Sequence, residues 1–144
     1  MQTSLQTLTK KYTLTALVLA TGLLAGCANT LTSATPATAE EIVSQRAQQY
    51  VDLVATRKYT EAYAYLTPSY RGLNTAEAYS GNFGTGARWI EPKVDKVECS
   101  TEDRCVVTVK LKVSVVARGF TKPIDSTITE TWLKEDGQWW FYQR

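Results

Sequence analysis

The chain has no histidine. That removes at one stroke the side chain that most often serves as general acid or base and most often ligates a metal. Sulfur is sparse, with one methionine and three cysteines in 144 residues. Charge excess is slight, 16 basic residues against 14 acidic ones. There is also no apolar run of the ~20 residues needed to span a bilayer. The most apolar stretch, Leu14 to Gly26, is 13 residues long and is interrupted by Thr15 and Thr21. We expect no metal site and no cofactor.

That stretch has the three parts of an export signal in order. Lys10 and Lys11 form a positive flank, an apolar segment from Leu14 to Leu24 follows, and small residues Ala25 and Gly26 precede Cys27. Its length suits the apolar region of a signal peptide better than a permanent helix. Leu24-Ala25-Gly26-Cys27 resembles the bacterial lipobox, and the resemblance covers the first 27 residues. It implies a diacylglyceryl group on the Cys27 thiol, cleavage before that residue and acylation of the new amine. Each buried methylene contributes ~0.8 kcal/mol, and two or more acyl chains hold a protein stably on a membrane. The other reading is an ordinary signal peptide with a cysteine nearby. In the lipoprotein family an aspartate after the cysteine retains the protein in the inner membrane, and here that residue is Ala28. The resemblance therefore implies a lipid-anchored envelope protein, on the outer membrane facing the periplasm if the organism is Gram-negative.

The segmentation follows: a signal peptide over 1–26, a lipidated cysteine and tether over 27–38, and a domain over 39–144. Removing residues 1–26 takes away Lys10 and Lys11 and no acid, which leaves 14 residues of each sign. No basic footprint for nucleic acid remains, and the lipid, not a charged patch, is expected to hold the membrane. Ala28 to Ala37 is Ala, Thr and Ser with Pro36, too polar and small to order itself by burial. The 107 residues from Thr38 to Arg144 suffice for one core and not for two.

Cys99 and Cys105 form an even pair, and an even pair in an exported chain points to a disulfide. β-like segments flank both, so a hairpin would set them opposite each other. A metal pair is the alternative, but histidine and further soft ligands are missing.

Within the domain, Thr38-Ala39-Glu40-Glu41 has the form of a capping box. A helix is predicted from there to about Thr56, with Val43, Ala47, Tyr50, Val51 and Val54 as its apolar stripe and Arg46 mostly off it. A second helix is predicted over about Thr60 to Leu66 and ended by Pro68, with a third helical turn over Thr75 to Tyr79. Tyr59 and Tyr63 are expected as core residues whose hydroxyls reach the edge. The glycine-rich loop Gly81 to Gly86 follows a helix and precedes a strand, the reverse of what a phosphate cradle needs. It is read as a turn. From Arg88 the period changes to two. Strands are predicted over Trp89 to Cys99 (irregular near Pro92), Cys105 to Arg118 (long enough to bend), Ile124 to Glu135 and Gln138 to Gln143, the last two joined at Asp136-Gly137. Helices first and strands after give an α+β layer, with helices on one face of an antiparallel sheet of about four strands.

Three pieces of the domain, the helical segment Tyr59 to Pro68, the long alternating strand, and the ending Trp132-Leu133-Lys134-Glu135-Asp136-Gly137-Gln138-Trp139-Trp140, carry a wider likeness. Over about Ala39 to Tyr142 the chain resembles the NTF2-like (cystatin-like) superfamily, a curved sheet wrapped as a cone around an N-terminal helix. The superfamily includes isomerases, dehydratases, cyclases, transport factors and non-catalytic envelope proteins, so the fold does not choose among them. Its ketosteroid-isomerase-like members use an acidic base and an oxyanion donor inside the cone. Here the family's catalytic positions do not match residue by residue; the best acidic candidate is Glu130, which shares strand register with Ile128 and Trp132 and so is open to the apolar interior, with Tyr63 able to reach the same space and Trp89 able to wall it. Glu130 has two other readings: facing water, or paired with Lys110, Lys112 or Arg118. Trp139, Trp140, Phe141 and Tyr142 crowd the last strand. Alternation sends one pair to the core and leaves the other, Trp140 and Tyr142, as an edge cover or a partner surface. The expectation is a tethered binding or scaffolding module with an envelope protein as partner, more a binder than an enzyme. The alternatives are a small apolar-ligand binder or isomerase/cyclase using the cone cavity, and an accessory subunit of an envelope or secretion complex.

Overall fold

The computed structural model describes residues 36–119 and 121–144. The lipobox, Cys27 and most of the tether lie outside the described residues. Four helices precede four strands: α1 (Ala39–Ala55), α2 (Tyr59–Tyr63), α3 (Pro68–Leu73), α4 (Ala76–Gly81), β1 (Ala87–Thr101), β2 (Arg104–Val115), β3 (Ile124–Glu135) and β4 (Gln138–Tyr142). The class is α+β. The strands form one antiparallel sheet in the order β1-β2-β3-β4, as consecutive hairpins require.

α1 starts where its cap is written. The Glu41 amide donates to Thr38 Oγ1 and the Thr38 amide to Glu41 Oε2, so two orphan donors of the first turn are satisfied reciprocally. Val43, Ala47, Tyr50, Val51 and Val54 are all buried. Each valine brought out of water contributes roughly 1.5–3 kcal/mol, so this stripe fixes the helix on the sheet. α1 ends in a Schellman arrangement, with the Lys58 amide on Leu53 O and the Arg57 amide on Val54 O. Arg57 holds φ 61° there, where glycine is usual.

Three elements differ from those expected, two of them for local reasons. Pro68 ends no helix; it is the first residue of α3, where its missing N–H costs nothing, and Thr67 Oγ1 caps α3 by accepting from the Tyr70 amide. α2 stops at Tyr63 because the chain then turns to run beside β4. There Leu66 bridges Phe141, with Thr67 N–H on Phe141 O and Phe141 N–H on Tyr65 O. β2 ends at Val115, three residues short of the expected Arg118.

The irregularity near Pro92 is a break in the β1–β2 register between Ile90 and Lys93, with Glu91 at φ 48°. α1 fills the break. Gln48 Nε2 donates to Pro92 O, and Gln48 Oε1 accepts from the Val94 amide. One side chain thus replaces ladder bonds that the bulge forgoes, and ties the bent strand to the helix.

Asp136 and Gly137 both take positive φ, 50° and 78°, the backbone a two-residue primed turn needs. Cys99 pairs with Cys105 in the β1–β2 register and the two are joined as a disulfide. The sheet face toward α1 carries Cys105, Val107, Val109, Leu111, Trp132 and Trp139, all buried. The other face is wet, and Lys110–Asp95, Lys96–Glu98 and Lys112–Glu91 pair across it. Such exposed pairs contribute little to stability.

Candidate functional site

Of the four residues expected to share a pocket, Glu130 and Trp132 meet, Tyr63 borders their aromatic cluster and Trp89 lines a cavity elsewhere. Glu130 and Trp132 alternate onto the α1 face of β3, opposite Val107 and Cys105. Glu130 is 3% exposed and Trp132 fully buried. The Trp132 Nε1–H donates to Glu130 Oε2 at 3.0 Å, and Glu130 Oε1 has no hydrogen-bond partner. Burial raises this carboxyl from its ordinary 4.5 to about 7, against the opposing pull of the Trp132 bond. Glu130 therefore neither faces water nor pairs with a basic residue. Lys110 and Lys112 are taken by Asp95 and Glu91.

Rings close the space around it. Tyr50 of α1 lies edge-on to Trp132 at 6.3 Å and 4.7 Å from Phe141, centroid to centroid. The Tyr50 and Tyr79 hydroxyls share a buried hydrogen bond of 2.9 Å. Burial raises the Tyr50 hydroxyl well above its ordinary value, and Tyr79 to about 12, so both stay protonated; the negative charge of Glu130 adds to each shift.

Tyr63 joins this group only through its ring, 6.0 Å from that of Tyr79. Its hydroxyl donates to the backbone carbonyls of Asn74 and Arg71, and it ties the α3–α4 connection to α2. Trp89 stands elsewhere again, on a cavity of about 370 Å³ shared with Val54, Arg57, Tyr59 and Phe83. Tyr59 and Phe83 stack there at 4.3 Å. Glu130 does not line that cavity. The expected acid and the expected wall are thus parts of different places.

The last strand splits as alternation requires. Trp139 is buried, and Phe141 packs on the core. Trp140 is half-buried on the other face, and Tyr142 is 40% exposed. Trp140 has company that the sequence does not announce. The guanidinium carbon of Arg46 lies 5.6 Å from its ring centre and 5.0 Å from that of Tyr65; that of Arg71 lies 4.9 Å from Trp140. All three are cation–π distances. Each arginine is also fixed by its Nε–H, Arg46 on Trp139 O at 2.9 Å and Arg71 on Leu66 O at 3.1 Å. Arg46 thereby covers a carbonyl on the edge side of β4, an edge that would otherwise invite another strand. Partial burial lowers the Arg46 pKa, with Tyr65 opposing. Neither guanidinium has an ion-pair partner among the described residues, where all four ion pairs use lysines.

No family model matches the chain, and no curated protein does. Among solved structures it is similar to a SEC-C motif containing protein from Rhodopseudomonas palustris, at 14% identity and a TM-score of 0.52, over 68% of this chain and 73% of that one. At this identity the likeness is one of fold. Among the described residues, no group of three or more Cys, Asp or Glu side chains stands where it could hold a metal ion, and no helix is long and apolar enough to cross a membrane.

Arg46 and Arg71 are the site residues that sequence reasoning missed. Arg46 is a charged residue beside an apolar stripe, a position usually left to solvent. The tryptophan that brings them together, Trp140, lies on β4 far along the chain, so no spacing rule reaches it.

Proposed function

We propose that the chain is a lipoprotein of the cell envelope, held on a membrane by acyl chains at Cys27, and that its domain is an NTF2-like cone working as a non-catalytic binding module. The observation that carries the second half is the contrast at the last strands. The best acid candidate, Glu130, is packed under rings and away from the Trp89 cavity, whereas Trp140 and Tyr142 stand on the outer face, Trp140 beside two arginines that have no ion-pair partner among the described residues. An acid without access to a substrate does no proton transfer. Aromatics with arginine at a surface are the composition of interaction hot spots. The lipobox at Leu24 to Cys27 and the alanine at position 28 favour an outer-membrane location in a Gram-negative cell.

Native pull-down from membranes tests the module. The wild-type chain is expected to retain an envelope protein that Trp140→Ala with Tyr142→Ala loses, with the fold unchanged by circular dichroism. Capture of one stoichiometric assembly would specify an accessory subunit. Retention by the double variant removes the surface from consideration. The anchor has its own test: Cys27→Ser should abolish processing and detergent partitioning.

A second reading, a small apolar-ligand binder, is favoured by the aromatic cavity at Trp89, Tyr59 and Phe83. Small molecules co-purifying with the wild type and lost in Trp89→Ala would select it. An isomerase or cyclase reading further requires turnover that Glu130→Gln removes.

A further inference from the structure

We propose that Arg46, Arg71 and Trp140 form a carboxylate-reading clamp whose occupant is an acidic segment of a partner protein. The inference rests on the binding reading of this surface and names its chemistry. Each guanidinium is held by Nε on a backbone carbonyl and by the face of an aromatic ring. Its orientation is therefore set before a ligand arrives, which cuts the ordering cost of binding. The Nη groups have no hydrogen-bonding or ion-pair partner among the described residues, and a planar guanidinium fork matches a carboxylate in bidentate geometry. The Trp140 and Tyr65 rings add a flat apolar surface beside the forks, suited to the side chains that flank acids in a peptide.

Charge bookkeeping separates this occupant from a bilayer. Recognition of an anionic membrane takes clusters of about four to eight basic residues. Residues 27–144 carry 14 charges of each sign, and the clamp has only two localised cations. Two fixed forks fit two discrete carboxylates better than a diffuse negative surface.

The test uses the full-length chain in non-ionic detergent, labelled with 5-fluorotryptophan. Its four tryptophans give four fluorine resonances, assigned by single Trp→Phe variants. The probe is an N-acetylated, amidated hexaglutamate peptide, with hexalysine as control. Hexaglutamate is expected to shift the Trp140 resonance saturably while the buried Trp132 resonance stays still. R46Q with R71Q should weaken that binding about tenfold or more, because charge-assisted hydrogen bonds are lost, and added salt should weaken it progressively. No saturable shift, or a shift indifferent to the two substitutions, overturns the proposal. A Trp140 response to phosphatidylglycerol vesicles but not to the peptide replaces it with a lipid contact. Should R46Q move the Trp132 resonance and so disturb the fold, R71K decides alone: it keeps the charge, removes the fork, and is expected to bind several-fold more weakly. Because the titration needs no native partner, saturable peptide binding without any captured envelope protein would fail the module's proposed setting and leave the clamp standing.

Discussion

Trp132 on β3 and Trp140 on β4 each sit beside a charged side chain, and the two settings differ in every consequence. Trp132 donates its N–H to a carboxyl that burial drives toward neutrality. Trp140 offers its ring to two cations that keep part of their surface in water. Inside, the low dielectric penalises the charged form of the acid, and the group answers by holding its proton. Outside, the charge survives, and ring and charge together remain available to something else. Similar residue types therefore give a packed core in one place and a part-exposed ring beside two cations in the other, and accessibility decides which.

If that contrast is right, the largest effect belongs to the interior. Trp132→Ala is expected to cost about 3–5 kcal/mol, the usual range for emptying a fully buried aromatic site. Trp140→Ala should cost well under half as much. Urea unfolding of both variants reads this directly, and equal losses would erase the distinction between core and surface tryptophan.

Next in size is the pH dependence carried by Glu130. Its folded pKa, about 7, lies above the ordinary 4.5. The folded state thus keeps a proton that the unfolded chain releases between those values. Stability must fall as pH rises through that window and level off above it. The full drop is about 3 kcal/mol, taking ~1.4 kcal/mol per pKa unit. Glu130→Gln has no such window. It should match the wild type near pH 4 and exceed it at pH 8 by up to that amount. Parallel stability curves for the two proteins from pH 4 to 8 would show that the carboxyl is not closed off.

The disulfide is on the interior side of the comparison, since Cys105 faces Trp132 across β2 and β3. Its closed loop is short, with a sequence separation of 6, so loop-closure entropy sets a contribution of roughly 2 kcal/mol. Cys99→Ala with Cys105→Ala should lower the urea midpoint accordingly and move the Trp132 fluorine resonance while leaving that of Trp140 in place. A shift confined to Trp140 would contradict the packing.

What was legible in the sequence was whatever short spacing or strict alternation encodes. Thr38 and Glu41 announce their capping box because the two partners are three residues apart. Asp136-Gly137 announces its turn because both positions need positive φ. Val107, Val109 and Leu111 announce a strand with one buried face, and Cys99 and Cys105 meet where a hairpin would bring them. Pro68 was ambiguous by nature, since the same residue that breaks a helix interior opens a helix at its first position. The direction of Glu130 was undecidable from its strand alone, because Trp132 two residues on would be tolerated on either face. Gln48 at the β1 bulge and Arg46 at the β4 edge were invisible. Each is a polar helical residue whose role depends on backbone groups 44 or more positions away, and only the packed sheet brings those groups within reach.

The smallest expected effect tests the outer setting on its own terms. Arg46 contributes to the fold through one hydrogen bond to Trp139 O and through two aromatic faces, with no ion pair among the described residues. Arg46→Lys keeps the cation but loses the Nε–H and the planar group that stacks. The stability cost should be about 1 kcal/mol, the ordinary net contribution of one hydrogen bond. It should also be nearly the same at low and high salt, because screening acts on exposed charge pairs and not on a bond to a neutral carbonyl. Urea midpoints at two ionic strengths measure both parts. A loss that shrinks as salt is added would mean that Arg46 is spent on a carboxylate of its own chain, and the clamp would then have one fork fewer to offer a partner. A loss that salt leaves alone keeps the two roles apart, with Nε holding the edge of the sheet and the Nη groups facing outward.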